Sequence, residues 1–210
     1  MNKMSDLLIV IDTETTGLPK DMKSDVRPVS FGAVAYYGPE MEEVDHLYFL
    51  IRPDVFAEGY LRAEAIHGIT EDRLHRDGLP MNLAWDRAVK WMHATAAANQ
   101  CNIADVYFMA WNSKFDRLVM SLWRNAAGIV SDRVMEWPKW EEGELVAPQG
   151  CLQHLYREWT KTQPGIKTPR YGALNSAAQT LGVGKQAAIH NALADARMAG
   201  AILAALRARA

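Results

Sequence analysis

The feature that most constrains this chain is a continuous apolar run, Leu7–Ile11, that leads directly into two acidic residues, Asp12 and Glu14. An apolar run of strand length, without polar alternation, is typical of a β-strand that is buried on both faces. Gly17 and Pro19 follow and end the strand. Because side chains two residues apart on a strand point to the same side, Asp12 and Glu14 share one face. The sequence therefore predicts a buried strand with two carboxylates at its end.

Further elements are predicted from apolar patterns and from glycine and proline punctuation. The predicted strands are Leu7–Ile11, Val29–Tyr37, Val44–Ile51 and Val106–Trp111. The predicted helices are 81–98, 113–128, Leu152–Trp159, Leu174–Leu181 and 191–207. Three consecutive strands with short connections favour an antiparallel meander. The order β-β-β-α-β-α-α-α predicts an α/β fold, a mixed sheet flanked by helices, in a single domain of residues 1–210. Residues 130–150 are predicted to form an irregular surface excursion.

The net charge is −2, whereas a protein that grips many phosphates usually carries a basic surplus. Extensive binding to a nucleic-acid duplex is therefore not expected. The net charge remains compatible with an enzyme that holds only a few nucleotides. Basic residues concentrate in one segment and are Arg157, Lys161, Lys167, Arg170 and Lys185. A solvated face and a phosphate-contact role are equally compatible with that pattern.

The cysteines and the apolar segments bear on cellular location. Cys101 and Cys151 lie 50 residues apart without a CxxC partner, which favours reduced, buried thiols over a disulfide or zinc site. No apolar run approaches the length that spans a bilayer, and the N-terminal run is too short and too acidic for a signal peptide. A cytoplasmic protein without membrane association is expected.

Two further acids begin helices, and each has a structural explanation of its own. Ser113 and Asp116 match a capping box, in which Ser113 would cap the helix and Asp116 would be its third residue. Asp195, five residues after His190, fits a partner of the helix dipole. Together with the acids of the first strand, however, they form three acidic clusters on three elements. Such a set can surround cations, which a single element cannot.

Several segments resemble motifs of the DEDDh, or DnaQ-like, 3′–5′ exonucleases. The first motif is matched by Ile11–Gly17, the second by Trp111–Asp116 and the third by His190–Ala196, with its His-x4-Asp spacing. Ile66–Thr70 resembles a further segment common in the proofreading branch. The resemblance spans about residues 7–203, although residues 130–150 match no motif. It implies a ribonuclease H-like fold, a mixed five-stranded sheet flanked by helices.

The resemblance also implies a role for each residue of the site. Asp12 would bridge two metal ions, and Glu14 and Asp195 would hold the ion that carries the nucleophilic water. Asp116 would support the second ion through water, and His190 would be the general base. Hard oxygen ligands without cysteine favour Mg²⁺, with Mn²⁺ also expected to support activity.

A substrate site is expected beside these acids. The resemblance places Leu18, Ile66 and His67 on the last base and sugar, and the turn after the first motif offers backbone N–H groups and hydroxyls. Phe115 offers a ring for stacking, although packing in the core is the favoured interpretation. The predicted substrate residues are Thr15, Thr16, Gly17, Leu18, Ile66, His67, Asn112 and Phe115.

The function that the resemblance implies is removal of nucleoside monophosphates from the 3′ end of DNA, either single-stranded or frayed. An exoribonuclease of the same fold is the alternative. A silent binding module is disfavoured, because all four acids and the histidine are intact. No polymerase-contacting tail is expected, because the chain stops at Ala210 just after the last predicted helix. Gln149–Tyr156 loosely resembles a sliding-clamp peptide, but the start of an amphipathic helix is favoured.

Overall fold

The fold is built on one mixed sheet, seen in a computed structural model that describes residues 7–129, 150–169, 173–184 and 190–209. The strands are β1 Leu7–Thr15, β2 Pro28–Tyr37, β3 Glu42–Arg52, β4 Leu79–Pro80 and β5 Tyr107–Met109. Their spatial order is β4-β3-β2-β1-β5. The pairs β1–β2 and β2–β3 are antiparallel, whereas β1–β5 and β3–β4 are parallel. The predicted meander and the predicted mixed five-stranded sheet are therefore confirmed.

Helices flank this sheet. They are α1 Tyr60–His67, α2 Glu71–Asp77, α3 Met81–Ala98, α4 Ser113–Ala126, α5 Leu152–Thr162, α6 Leu174–Leu181 and α7 Ala192–Arg207. The five predicted helices correspond to α3–α7, with ends shifted by at most three residues. The helices α1 and α2 and the strand β4 were not predicted. They have 8, 7 and 2 residues and bury few side chains, so they leave no apolar periodicity to detect.

The buried strand β1 has a helix layer on each side. Its odd-numbered residues Leu7, Ile9 and Ile11 pack in one core cluster with side chains of α3 and α4. Its even-numbered residues Leu8 and Val10 pack in a second cluster with α5, α6 and α7. This alternation follows from the two-residue period of a strand. The next residues of β1 therefore also face either the α4 side or the α7 side.

A small third cluster holds α1 and α2 against the sheet. It contains Val29 of β2, Leu50 of β3, Tyr60, Ile69 and Leu74. The Tyr60 hydroxyl donates to the Ile69 carbonyl at 2.7 Å, which fastens the start of α1 to the connection between the two helices. This packing fixes the position of α1 beside the end of β1.

Some predictions about the periphery need correction or lie outside the described residues. Both cysteines are free, but each is half-buried rather than buried, because both lie outside the interiors of helices and strands, Cys101 in the connection after α3 and Cys151 just before α5. Residues 130–149 are not among the described residues. Within the described ranges, no helix is long and apolar enough to cross a membrane.

Candidate active site

The end of β1 extends past its neighbour β5. The strand β5 pairs only with Leu8–Val10, whereas β1 continues along β2 as far as Thr15. The register shifts between Glu14 and Thr15, so the strand bends there. Asp12 is partly buried and Glu14 is buried, and both are even-numbered, so they face the α7 side. The two predicted acids thus lie at the end of β1 that extends beyond its pairing with β5.

Asp116 reaches the same place from α4. It is buried, and its Oδ1 accepts a hydrogen bond of 3.1 Å from the hydroxyl of Thr13. The capping box, which was the structural alternative for Asp116, does not form, because Asn112 is the N-cap, Ser113 is the first helical residue and Asn112 makes no side-chain cap. The carboxylate of Asp116 is directed at β1 instead. Asp116 therefore does not cap α4, which is the structural role that its sequence position suggested.

Asp195 is brought to β1 by close contact between α7 and β2. Asn191 caps α7 by accepting from the backbone N–H groups of Leu193 and Ala194, both at 3.1 Å. Gly32 of β2 lies opposite Asp12 in the sheet, and a Cβ placed on it would come within 2.3 Å of the backbone of α7. Only a glycine permits this approach. It positions the first turn of α7, and hence Asp195, over the acids of β1.

His190 lies between Asp195 and α1. Its Nδ1 is 3.2 Å from Oδ2 of Asp195, and its backbone N–H donates to the carbonyl of Ile66 at 3.4 Å. The side chain is 49% exposed, so the ring has one bound and one open side. If Nδ1 carries the proton that Asp195 accepts, Nε2 has a free lone pair.

Burial raises the pKa of three of the carboxyls toward neutrality. The pKa of Glu14 rises to about 7, through burial and then through repulsion from Asp195. Burial also raises the pKa of Asp116 to about 7, against the hydrogen bond from Thr13. The pKa of Asp195 rises to about 6 because its burial outweighs the opposing influence of His190.

Asp12 is in electrostatic contact with the whole set. Burial raises its pKa well above the usual range, and the charges of Asp116, Glu14 and Asp195 raise it further, in that order. Like charges that repel each other in a buried place share protons or require a counter-cation. The structure thus brings the four predicted acids together at one point.

This acidic cluster has the donors that a divalent cation needs. The ligand atoms of Glu14, His190 and Asp195 lie within 4.8 Å of one another. Oε1 of Glu14 and Oδ1 of Asp195 are buried and have no hydrogen-bond partner among the described residues. A buried anionic oxygen without a partner is costly unless a cation neutralises it. Carboxylate oxygens are the ligands preferred by Mg²⁺ and Mn²⁺, so the residues fit such an ion.

The acids open onto a cavity of about 430 Å³, which Asp12, Glu14, His190 and Asp195 help to line. Six predicted substrate residues also line it, and they are Thr15, Gly17, Leu18, Ile66, His67 and Phe115. A cavity of this size is within the range of small-molecule sites. Most of the predicted catalytic and substrate residues therefore share one concave site, although the catalytic candidate Asp116 does not line it.

Two predicted substrate residues are not part of the cavity wall. Thr16 is fully buried, and its hydroxyl accepts from the backbone N–H of Arg27 at 2.9 Å. Its own N–H donates to the Arg27 carbonyl at 2.8 Å, so this residue closes the base of the loop between β1 and β2. Asn112 is exposed at the start of α4 and does not line the cavity.

Exposed apolar side chains also line the cavity. Leu18 is 83% exposed and Ile66 is 56% exposed, and both line the cavity, so apolar surface is available there for a ligand. Phe115 is half-buried and lines the cavity, so it is not confined to the core as the favoured interpretation held.

His67 lines the same cavity and is held in a neutral form. It is buried, and its Nδ1 accepts from the backbone N–H of Ile69 at 3.1 Å, so its proton lies on Nε2. Burial lowers the pKa of His67, with the nearby charge of His190 acting in the same direction. This ring therefore contributes shape and a neutral N–H donor.

Sequence reasoning missed four further residues that line the cavity, and they are Glu58, Gly59, Arg62 and Ala63. They belong to α1 and the turn before it. The only available signal was their position just before Ile66–Thr70, the segment that carries the resemblance. Without apolar periodicity in α1, nothing marked the preceding turn.

The basic segment does not contribute to this cavity. Arg157, Lys161 and Lys167 are absent from its wall, and Lys161 pairs with Glu158 at 2.7 Å. Arg170 and Lys185 lie outside the described residues. For the described part, the solvated-face interpretation is favoured. The apolar residues of the clamp-like segment, Leu152 and Tyr156 among them, are buried in the core, which leaves them unavailable to a partner.

Comparison with solved structures identifies close likenesses of fold. The nuclease domain of 3′hExo, a DEDDh family member solved bound to rAMP, has a TM-score of 0.69 at 14% identity, covering 97% of this chain and 92% of that one. E. coli exonuclease I in complex with a dT13 oligonucleotide has a TM-score of 0.65 at 17% identity, covering 95% of this chain but 40% of that one.

A 3′-exonuclease solved for recognition of the histone mRNA stem-loop has a TM-score of 0.65 at 18% identity, covering 97% of this chain and 64% of that one. At these identities the likeness concerns the fold, and the expected ribonuclease H-like arrangement is confirmed. This chain spans less than half of the exonuclease I chain that it matches.

Sequence comparison adds the family. A search of curated protein sequences gave no significant match. The profile of the RNase_T family, described as exonuclease, matches residues 9–125, a range that contains Asp12, Glu14 and Asp116. Because this match covers more than half of its 210 residues, the chain belongs to the RNase_T exonuclease family, and the predicted relationship to the DEDDh exonucleases is confirmed.

Proposed function

We propose that this protein is a metal-dependent 3′–5′ exonuclease that releases nucleoside monophosphates from single-stranded or frayed DNA ends. The observation that carries the proposal is the convergence of four carboxylates, of which Asp12, Glu14 and Asp195 line, together with His190, a cavity of about 430 Å³. The similar fold of exonuclease I, which was solved with a dT13 oligonucleotide, supports DNA as the substrate. The balanced net charge fits a site that holds few phosphates.

In this proposal Asp12, Glu14, Asp116 and Asp195 hold two Mg²⁺ ions, and Mn²⁺ substitutes for them. Two bound divalent ions supply an activated water and stabilise the negative charge that develops at phosphorus and at the leaving oxygen. The unpartnered oxygens of Glu14 and Asp195 support a cation there. The remaining work belongs to side chains that orient the nucleotide and accept a proton.

His190 is the proposed general base. Its Nδ1 faces Asp195, which orients the ring and favours the tautomer whose Nε2 accepts a proton from the attacking water. A neutral imidazole is the accepting form, so the rate should rise from acid pH.

The substrate residues that line the cavity would hold the terminal nucleotide. Leu18 and Ile66 offer exposed apolar surface for the base and sugar, and Phe115 offers a ring for stacking. The backbone of Thr15 and Gly17 and the ring of His67 complete this wall.

RNA is the second candidate substrate. Two proteins with similar folds were solved with rAMP and for recognition of a histone mRNA stem-loop. A direct comparison of the two sugars decides between these candidates, because the chemistry at phosphorus is the same.

The decisive experiment uses end-labelled single- and double-stranded DNA and RNA with Mg²⁺, Mn²⁺ or EDTA. We expect mononucleotides to be released with either ion and no release in EDTA. A phosphorothioate at the 3′ end should block digestion, whereas one at the 5′ end should not. Undiminished activity in EDTA contradicts the metal mechanism, and cleavage of a closed circular single strand contradicts exonuclease polarity.

His190→Ala tests the base. We expect the rate to fall by about 10²- to 10⁴-fold, the usual effect of a positioned base. An acid limb of the pH–rate profile should remain, because Glu14 and Asp116, whose pKa values are raised to about 7, still titrate there. Mg²⁺ binding, followed by calorimetry, should persist. His75→Ala is the matched control, because His75 is exposed on α2 and does not line the cavity. Loss of Mg²⁺ affinity together with activity would make His190 a ligand instead.

A further inference from the structure

The cavity has a charged wall that the proposed chemistry does not use. Glu58 precedes α1 and Arg62 lies in its first turn, and both are exposed side chains that line the cavity. Neither side chain has a hydrogen bond or ion pair with another described residue. Apart from the two histidines, Arg62 is the basic residue of the wall. An arginine without a partner at a concave site is available to bind a ligand.

The direction of α1 relates this wall to the catalytic residues. The C-terminal end of α1 lies at the catalytic side, because the Ile66 carbonyl accepts from the His190 N–H. Arg62 is four residues earlier, on the same helix face as Ile66 and about 6 Å further along the axis. With a phosphate at the carboxylates and a sugar against Ile66, a base that extended along α1 would reach Arg62. In that placement the residue would meet the base edge and not the scissile phosphate.

We propose that Arg62, assisted by Glu58, reads the 3′-terminal base and favours guanine. This inference rests on the proposed exonuclease function. A guanidinium donates two parallel hydrogen bonds, and the O6 and N7 atoms of guanine form the matching pair of acceptors. A carboxylate accepts, and guanine presents two adjacent donors, N1–H and N2–H, on its other polar edge. Guanine is thus the base that offers paired acceptors to Arg62 and paired donors to Glu58.

The other bases fit this pair of side chains less well. Adenine offers one donor beside one acceptor on each of these edges, so it cannot satisfy both nitrogens of the fork. Cytosine and thymine are smaller and reach less far along α1 from the sugar. The apolar contacts with Leu18 and Ile66 are available to every base, so we expect a preference for guanine and not an absolute requirement.

The test compares short DNA strands that differ only in the 3′-terminal nucleotide. We expect kcat/KM with Mg²⁺ to be about tenfold higher for terminal G than for A, C or T, the order of discrimination of a bidentate base contact. Arg62→Ala should reduce the G-ended strand to the level of the others and leave the T-ended strand nearly unchanged. Glu58→Ala should lower the preference by a smaller factor.

An atomic substitution in the substrate sharpens the test. A terminal 7-deazaguanine lacks the N7 acceptor, so the wild-type protein should lose most of its preference, and Arg62→Ala should not distinguish it from guanine. Arg76→Ala is the control variant, because Arg76 is an exposed arginine on α2 outside the cavity wall. It should retain the full preference for terminal G.

Two results would overturn the inference while leaving the exonuclease intact. One is equal cleavage of all four ends by the wild-type protein. The other is an Arg62→Ala variant that slows all four ends equally, which indicates a contact with phosphate or non-specific stacking. If no strand is shortened at all, the proposed function fails instead. In that case the affinities of the protein for dGMP and dTMP, measured by calorimetry with Mg²⁺, test the preference for guanine. Equal affinities for the two nucleotides overturn it.

Discussion

Thr13 connects β1 to the acid of α4 through a single buried hydrogen bond. Its hydroxyl donates to Asp116 across 103 positions of sequence, at 3.1 Å. Thr13 is odd-numbered and faces the α4 side, whereas its neighbours Asp12 and Glu14 face the α7 side. The four acids therefore meet around the end of the strand from both sides of the sheet. This bond holds the carboxylate of Asp116 toward β1, whereas a capping residue would direct it at the backbone of α4.

Thr13→Val removes the donor and keeps the shape of the side chain. We expect the Mg²⁺ concentration for half-maximal activity to rise by about 10- to 100-fold, because partners that orient metal ligands typically have effects of that order. Thr13→Ser restores the hydroxyl and should restore most of the activity. An unchanged Mg²⁺ dependence in a folded Thr13→Val variant would remove Thr13 from the positioning of Asp116.

Asp116→Asn separates a catalytic acid from a structural one. The substitution removes a buried negative charge whose pKa is raised to about 7, so the thermal midpoint of the metal-free protein should stay the same or increase. Turnover should fall by orders of magnitude, on the order of 10² or more. Asp86→Asn, at an exposed ion pair on α3, is the control and should retain activity. A variant that melts much lower and keeps its turnover would make Asp116 structural.

The sequence predicted which residues form the acidic cluster but not how they are held. Asp12, Glu14, Asp116 and Asp195 were all identified, because motif order and spacing survive in the linear chain. The contact between Thr13 and Asp116 was not, because a hydrogen bond between distant positions leaves no local pattern. Thr16 illustrates the opposite error, since its place in the motif concealed a hydroxyl that closes a loop.

At the scale of elements, the approach of α7 to β2 sets the geometry of the site. Gly32 lies opposite Asp12, and its missing side chain leaves room for the backbone at Ala192 and Leu193. The helix begins there, with its cap at Asn191, so Asp195 follows within the first turn. A one-residue shift of this contact would move Asp195 away from its partners.

Gly32→Ala tests the close approach. The added Cβ would lie 2.3 Å from the backbone of α7, so the helix must move, at a cost of about 1–3 kcal/mol or more. We expect a lower melting temperature and a loss of activity that exceeds the loss of folded protein. Gly38→Ala is the control, because it meets no atom within 4 Å and only strains a left-handed turn. Equal activity per folded molecule in both variants would exclude a role for this contact.

The prediction of helices succeeded where the apolar periodicity repeated over several turns, and it failed where a helix was short. The helices α3 and α6 begin and end at the predicted residues, and each has one clear boundary signal, Pro80 before α3 and Gly182 after α6. The helix α1 buries only Tyr60 and His67, so no period existed to be found. Its omission also hid Glu58 and Arg62, which form a wall of the cavity.

At the scale of the whole molecule, the acidic cluster makes stability depend on pH and on metal. The pKa values of Glu14 and Asp116 are raised to about 7 and that of Asp195 to about 6. In the unfolded chain, carboxyls titrate near pH 4. Between these limits the folded protein binds more protons than the unfolded chain, so the free energy of unfolding decreases as pH rises.

Mg²⁺ should therefore stabilise the protein more at pH 8 than at pH 5.5, because it binds the deprotonated carboxylates that repel one another at the higher pH. We expect the rise in Tm on adding Mg²⁺ to be larger at pH 8 by several degrees, on the order of 2–4 °C for each kcal/mol. Thermal unfolding with EDTA and with Mg²⁺ at both pH values measures the difference. Asp12→Asn should reduce the difference, and an equal rise at both pH values would contradict this account.

The order in which the chain is synthesised gives the placement of Asp195 a further meaning. The acids of β1 leave the ribosome first, but their fourth partner lies in α7, the last described helix. A nascent or prematurely terminated chain that ends before α7 therefore carries at most three of the proposed ligands and lacks Asp195. We expect such products to be inert toward nucleic acid, so the proposed nuclease becomes active only when translation has passed α7 and that helix has docked against Gly32.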